Sequence, residues 1–521
     1  MKKSLHEILL DPATYPHHPH EVTFRQTHVS RLYFAGGEVY KVKKSVNFGF
    51  LDFTSLDKRL FFCQEELRLN RRFAPDTYLE VVPICDSGKQ LQLGGAGEPV
   101  EYALRMRRLP EERLLDHLLA QKTPHLAQQI PRLAQRLIEI YHKAPICRRD
   151  QGRSHVEVMA ENWKENEEQT RPFIGTIYRA EEHRILFDRV KRWLAELTPL
   201  LQQREEEGLV RDGHGDLHSQ HICLSTPIRI FDCIEFNRRF RIGDVAADFA
   251  FLAMDLNEAG RPDLAELLID ELTPCFGGDN LRSLLPFYRC YRAVVRSKVN
   301  ALLSSEEEVD PETRQQAEAA ARRYFRLAQG ELLPPQLLLI CGLMGVGKSS
   351  LAAPLSHALR ADWLRSDLIR KELAGSEARG SQTHRFGQGL YSPQKTQETY
   401  DEMLRRTNNA LRQGRSVIVD ASFAQTSQRQ HFLDLAAQHD VPPHIIYLQL
   451  PRRTALARLD EREELGNDPS DGRTELYDLQ AATFTPPTAP EPFLRVDSSR
   501  QVDYNAGFVL QQLTLLSGTA S

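Results

Sequence analysis

One short stretch constrains this chain more than any other: an apolar run, Leu337 to Cys341, followed at once by Gly-Leu-Met-Gly-Val-Gly-Lys-Ser-Ser. Pro334 and Pro335 cannot continue the charged helical pattern before them, so the five apolar residues read as a buried strand. A helical pattern over 348–360 follows. Strand, G-x-x-x-x-G-K-S and helix in this order form a phosphate-cradling loop. Its glycines let the backbone curl so that N–H groups point inward, and the helix start adds partial positive charge. The expected phosphate-binding set is Gly342, Gly345, Val346, Gly347, Lys348, Ser349 and Ser350. Lys348 would reach the β and γ phosphates and Ser349 would ligate Mg2+.

Strand patterns at 416–420 and 444–450 alternate with helical patterns at 426–439 and 452–464. Such alternation implies a parallel sheet covered by helices. "WLRSDLIRKEL" places Asp367 and Arg370 just after a second strand. The carboxylate can orient or deprotonate an acceptor hydroxyl, and the arginine one turn on can grip acceptor or phosphate. Asp420 ends the strand "SVIVD", the place for a carboxylate that holds Mg2+. The plain alternatives are helix caps for Asp367 and a cap or turn for Asp420. Arg458 and Arg462 share one helix face and suit a lid that closes on the transferring phosphoryl. Glu461, Glu463 and Glu464 offer the rival reading of a solvated face. These residues resemble the small P-loop kinases, the group of gluconate kinase, chloramphenicol phosphotransferase and polynucleotide kinase. That resemblance implies ATP or GTP and Mg2+ as cofactors, with catalytic roles for Asp367, Arg370, Arg458 and Arg462.

A chain of 521 residues exceeds one hydrophobic core. The composition shift at the two prolines sets a joint near 333. Residues 1–333 form one expected domain, with lobes at about 22–106 and 107–333, and 334–521 form the other. "RLYFAGGEVYKVKK" is a hairpin signal, and 55–73 carries helical spacing. The eight cysteines make no CxxC pair, which argues against a disulfide framework or structural zinc. A formal net charge of −4 gives no global pull toward nucleic acid or anionic membrane. No apolar run reaches the length of a membrane span, and the start does not read as a signal peptide, so a cytoplasmic protein is expected.

"RDGHGDLHSQHIC" (211–223) packs three histidines and two aspartates into one loop. Gly213 and Gly215 flank His214, so no single helix can turn all three rings to one ion. The alternative begins from Asp216. Two short apolar runs, 222–224 and 228–231, flank "STP" as a hairpin and bring Asp232 beside it. One carboxylate can take a hydroxyl proton while the other holds Mg2+.

This half resembles the aminoglycoside phosphotransferase branch of the protein-kinase-like fold, whose loop reads H-G-D-x-H-x-x-N before an I-D segment; here they are "HGDLHSQHIC" and "IFDCIEF". The resemblance implies Asp216 as catalytic base, Asp232 as metal ligand, and a strand lysine for the α and β phosphates oriented by Glu66. Alternation alone cannot choose between Lys41 and Lys43; Lys41 is preferred. Asp248, in "RIGDVAADFAFL", would brace the loop. His221 stands where the family has a metal-binding asparagine, although Mg2+ prefers oxygen. "KKSVNFGFLDF" and "FDCIEFNRRFRIGDVAADFAFLAMDL" are similar to a bacterial set that fuses such a half to a P-loop half.

The expected fold is therefore α/β and α+β: a bilobal protein-kinase-like domain, then a P-loop domain with a parallel sheet. The expected activity is ATP-dependent transfer of a γ-phosphoryl to a hydroxyl of a small molecule at two sites. A nucleic-acid 5′-hydroxyl acceptor is an alternative that the overall charge does not favour. A nucleotide-sensing first half that regulates the second is another, suggested by His221. The acceptor and the oligomeric state are not written in these patterns.

Overall fold

A computed structural model describes residues 4–27, 29–47, 51–86, 91–95, 97–374, 392–465 and 474–517. It divides into two compact units: Met1–Asn162 with Leu194–Arg292, and Trp163–Trp193 with Ala293–Ser521. The expected joint near 333 falls inside the second unit, between the helix Pro311–Glu331 and the first strand of the parallel sheet.

The first unit opens with a six-stranded antiparallel sheet. Its strands are β1 (Val22–Gln26), β2 (Ser30–Ala35), β3 (Glu38–Lys43), β4 (Tyr78–Asp86), β5 (Leu91–Leu93) and β6 (Glu98–Arg107), in the order β1-β2-β3-β6-β4-β5. Gly36 and Gly37 form the hairpin turn: Ala35 pairs with Glu38, and Gly36 has φ +61°. The helix Leu56–Asn70 starts where the Ser55 hydroxyl accepts the Lys58 N–H, a side-chain cap of an otherwise orphan donor. Lys41 and Lys43 of β3 are both buried, as is Glu66 of this helix.

Helices dominate the rest of the unit, apart from two short antiparallel pairs. β7 (Val210–Asp212) pairs with β10 (Ile242–Asp244), and β8 (Ile222–Cys223) with β9 (Arg229–Ile230). The β8–β9 hairpin is the one the "STP" turn signals. The helix Val245–Glu258 buries nearly all of its length, with Phe249, Phe251, Leu252 and Leu256 in the core.

The second unit is built on a five-stranded parallel sheet. Its strands are β11 (Leu337–Cys341), β12 (Asp362–Arg365), β13 (Val417–Asp420), β14 (Pro443–Gln449) and β15 (Phe493–Asp497), in the order β12-β13-β11-β14-β15. All of β11 and β13 is buried, as expected of central strands covered on both faces. The helix Pro311–Glu331 packs against Lys348–Leu359 so closely that a Cβ at Gly330 would collide with the Ala358 carbonyl oxygen. No helix among the described residues is long and apolar enough to cross a membrane.

Candidate active sites

In the first unit, three distant segments converge on Lys41. Its Nζ donates to Glu66 Oε1 at 2.7 Å and to Asp232 Oδ1 at 2.6 Å. Lys43 Nζ donates to Glu66 Oε2 at 2.7 Å and to Glu235 Oε1 at 2.5 Å. Glu66 is thus shared by both lysines, and only Lys41 reaches Asp232. Burial alone would lower Lys41, but Asp232 and Glu66 outweigh it and hold the ammonium well above its ordinary pKa. Burial would raise Asp232, but Lys41 and then His221 hold its carboxyl below the usual range. Asp232 has φ +62°, a left-handed conformation that Asp tolerates better than most residues, and its N–H donates to the Tyr78 hydroxyl at 2.9 Å.

The 211–223 loop is braced from beneath. The buried Asp248 carboxylate accepts the N–H groups of His214 (2.9 Å) and Gly215 (3.1 Å), the Tyr141 hydroxyl (2.6 Å) and Arg292 Nη2 (3.1 Å). Gly215 has φ +83°, and a Cβ there would lie 2.7 Å from the Phe240 carbonyl oxygen. His214 is committed to structure. Its Nε2 donates to the Phe231 carbonyl at 3.0 Å, leaving Nδ1 to accept the Asp216 N–H at 3.3 Å. Burial depresses its pKa to about 4, so the ring is neutral.

Asp216, His218 and His221 face one another. Asp216 Oδ2 lies 3.5 Å from His218 Nε2 and 3.6 Å from His221 Nδ1, and His221 Nε2 lies 3.6 Å from Asp232 Oδ2. Burial would raise the Asp216 carboxyl; His218 outweighs it by charge and hydrogen bonding, with His221 adding, and the group stays below the usual carboxylate range. Burial, then His218, lowers His221. This donor set departs from the all-oxygen shell Mg2+ prefers, because imidazole nitrogens supply part of it.

In the second unit, β11 delivers the chain into the glycine loop and the helix Lys348–Leu359 leaves it. Gly345 and Gly347 have φ +75° and +87°; at Gly345 a Cβ would sit 2.7 Å from the Ala455 carbonyl oxygen. The Gly342 N–H donates to the Ser422 carbonyl and the Met344 N–H to Gln480 Oε1 at 2.8 Å. The N–H groups of Gly345, Val346 and Gly347 donate to no partner among the described residues, as a cradle for an anion requires. Lys348 Nζ donates to the Leu343 carbonyl at 2.9 Å, and Ser349 Oγ to Asp420 Oδ2 at 2.6 Å. Burial raises the Asp420 carboxyl, against opposing pulls from Lys348 and Ser349. A hydroxyl and a carboxylate at a strand end suit Mg2+.

These groups line one cavity of about 860 Å³ together with Asp367, Arg370 and Arg458. Asp367 Oδ1 accepts from Arg370 Nη1 at 3.1 Å, and Arg458 Nη2 donates to the Ser498 carbonyl at 3.0 Å. The side chain of Arg462 lies outside the described residues. Arg365, Arg500 and Gln480 line the same cavity and were not anticipated. Arg365 had a signal, standing two residues before Asp367. Glu235, the second partner of Lys43, had none beyond its place in "DCIEF".

Catalytic-type lysine, glutamate and aspartate on a braced loop in one unit, and a phosphate loop on a parallel sheet in the other, define a phosphotransferase class. The family models agree. Residues 62–284 match the model of the "Phosphotransferase enzyme family" and 337–487 that of an "AAA domain". Uncharacterized protein Rv2004c of Mycobacterium tuberculosis is 30% identical over 419 residues, 80% of this chain and 81% of that protein, and Uncharacterized protein Mb2027c of Mycobacterium bovis matches equally. Among solved structures, a gluconokinase from Sinorhizobium meliloti covers 36% of this chain and 96% of its own at 16% identity and TM-score 0.28. A choline/ethanolamine kinase family protein from Mesorhizobium loti covers 61% and 94% at 12% identity and TM-score 0.38. The chain belongs to the family of the two mycobacterial proteins, and in it a kinase-like phosphotransferase domain precedes a P-loop kinase domain.

Proposed function

We propose that this protein is a cytoplasmic phosphotransferase with two working sites, each moving the γ-phosphoryl of ATP or GTP to the hydroxyl of a small molecule. The acceptor oxygen attacks the γ-phosphorus, the bond to the β–γ bridging oxygen breaks, and nucleoside diphosphate leaves. Asp216 takes the hydroxyl proton in the first site and Asp367 in the second. Lys41, held by Glu66, grips the α and β phosphates in the first. In the second, Lys348 and the loop amides cradle the β and γ phosphates, while Arg370, Arg458 and Arg462 balance charge on the transferring group. Mg2+, which Ser349 and Asp420 would hold in the second site, neutralises phosphate charge when bound.

The observation that carries this reading is the glycine loop: Gly345 and Gly347, whose amides have no partner among the described residues, line the same cavity as Asp367 and Arg370. A specific observation also favours a second reading, in which the first half binds nucleotide and regulates without turnover: His221 stands between Asp216 and Asp232 where an oxygen donor is expected. The test is nucleoside-diphosphate release by the full chain against sugars, aminoglycosides, metabolite alcohols and 5′-hydroxyl oligonucleotides. Asp216→Asn and Lys348→Ala should each abolish a different acceptor activity. Insensitivity of every activity to Asp216→Asn would select the sensor. Activity confined to oligonucleotides would replace the small-molecule acceptor.

A further inference from the structure

The loop that opens the first site holds one histidine committed to the backbone and two whose rings face its carboxylates. His214 spends both ring nitrogens on backbone partners, Phe231 O and Asp216 N. His218 and His221 turn instead toward Asp216, their ring centroids 4.0 Å apart. One ligand atom from each of Asp216, His218 and His221 lies within 4.8 Å of the others. The separations of His218 Nε2 from Asp216 Oδ2, 3.5 Å, and of His221 Nε2 from Asp232 Oδ2, 3.6 Å, match the roughly 3–4 Å between two donors that share one ion at bonds of about 2.0–2.2 Å.

The backbone under these donors is fixed. The His221 N–H donates to the His218 carbonyl at 3.0 Å, and the Ser219 N–H to Asp255 Oδ2 at 2.8 Å. His221 Nδ1 lies 2.9 Å from the Asp216 carbonyl oxygen. A carbonyl only accepts, so Nδ1 carries the proton and the lone pair is on Nε2, on the side of Asp232 Oδ2 at 3.6 Å. An imidazole whose second nitrogen is tied to a backbone carbonyl is the usual arrangement of a metal-ligating histidine.

We propose that Asp216, His218 and His221, with Asp232 as a further oxygen donor, form a site for a divalent transition ion of the Mn2+, Co2+ or Zn2+ kind in preference to Mg2+. Imidazole nitrogen suits these ions, whereas Mg2+ prefers an octahedral shell of oxygens. The site rests on the loop geometry and stands whether or not the first half transfers phosphoryl.

The experiment is a Co2+ titration of the full-length, nucleotide-free chain, followed by visible d–d absorption, with back-titration by Zn2+ and Mg2+. The expected result is one Co2+ per chain at this site, displaced by Zn2+ at matching concentration and retained in about a 100-fold excess of Mg2+. His218→Ala and His221→Asn should each weaken Co2+ binding by at least about 10-fold, and Ser349→Ala should leave it unchanged. His221→Asn keeps side-chain size and polarity and provides the reading if His218→Ala does not fold. Displacement of Co2+ by Mg2+ at comparable concentration, or wild-type Co2+ affinity in His221→Asn, overturns the proposal.

Discussion

Asp248→Asn is the sharpest test of how the first site is held. The buried carboxylate accepts from four donors: two loop N–H groups, the Tyr141 hydroxyl and the Arg292 guanidinium. An amide of the same shape keeps one accepting oxygen, enough for two of them. Its NH2 group then faces the other two, and Arg292 loses its counter-charge. Two orphaned buried donors at about 1–3 kcal/mol each give a loss of about 4 kcal/mol, a large part of the roughly 5–15 kcal/mol that holds a domain together. Urea unfolding followed by a probe in the first unit should show the midpoint fall by about 1–2 M. Tyr141→Phe removes one donor and leaves three, so it should cost about 1.5–3 kcal/mol, and the double variant should cost less than the sum because both act on one network. An Asp248→Asn protein within about 0.5 kcal/mol of wild type would refute the brace.

The lysines of β3 should separate by role. Lys41→Met should remove turnover at the first site, because only Lys41 reaches Asp232. Lys43→Met leaves the Glu235 side chain without its ion-pair partner, while Glu66 keeps Lys41, and should lower unfolding stability by about 3–5 kcal/mol; equal stability losses in the two melts would count against the distinction. Gly215→Ala forces a Cβ to 2.7 Å from the Phe240 carbonyl at φ +83°, so it should cost more than about 1–2 kcal/mol in a thermal melt. Asp420→Asn should raise the Mg2+ concentration that half-saturates the second activity by at least about 10-fold, read from initial rates across a Mg2+ series.

The phosphate loop was legible because its chemistry lies in contiguous residues: strand, glycine spacing, lysine and helix start all fall within 337–360. The β8–β9 hairpin and the Asp248 brace were legible for the same reason, each tied to a short motif. The choice between Lys41 and Lys43 was not. Both point to one face of β3, and what tells them apart is a contact 191 residues away at Asp232. Glu235 was hidden in the same way, because its partner lies 192 residues off. The three histidines of the loop look equivalent in sequence. They differ only through the Phe231 carbonyl, which takes His214 out of the cluster. The strand Phe493–Asp497 and the helix Val502–Ser517 carried no reading. The strand is short, follows a proline-rich segment and alternates weakly, so its place at the sheet edge comes from pairing with β14.

Two nucleotide sites on one chain is the central claim, and binding stoichiometry of a non-hydrolysable ATP analogue tests it most directly. Equilibrium dialysis of the full chain with excess divalent ion should give two analogues bound per chain, and one in either Lys41→Met or Lys348→Ala. A single analogue bound by the wild-type chain, lost entirely in one variant and untouched in the other, would contradict it.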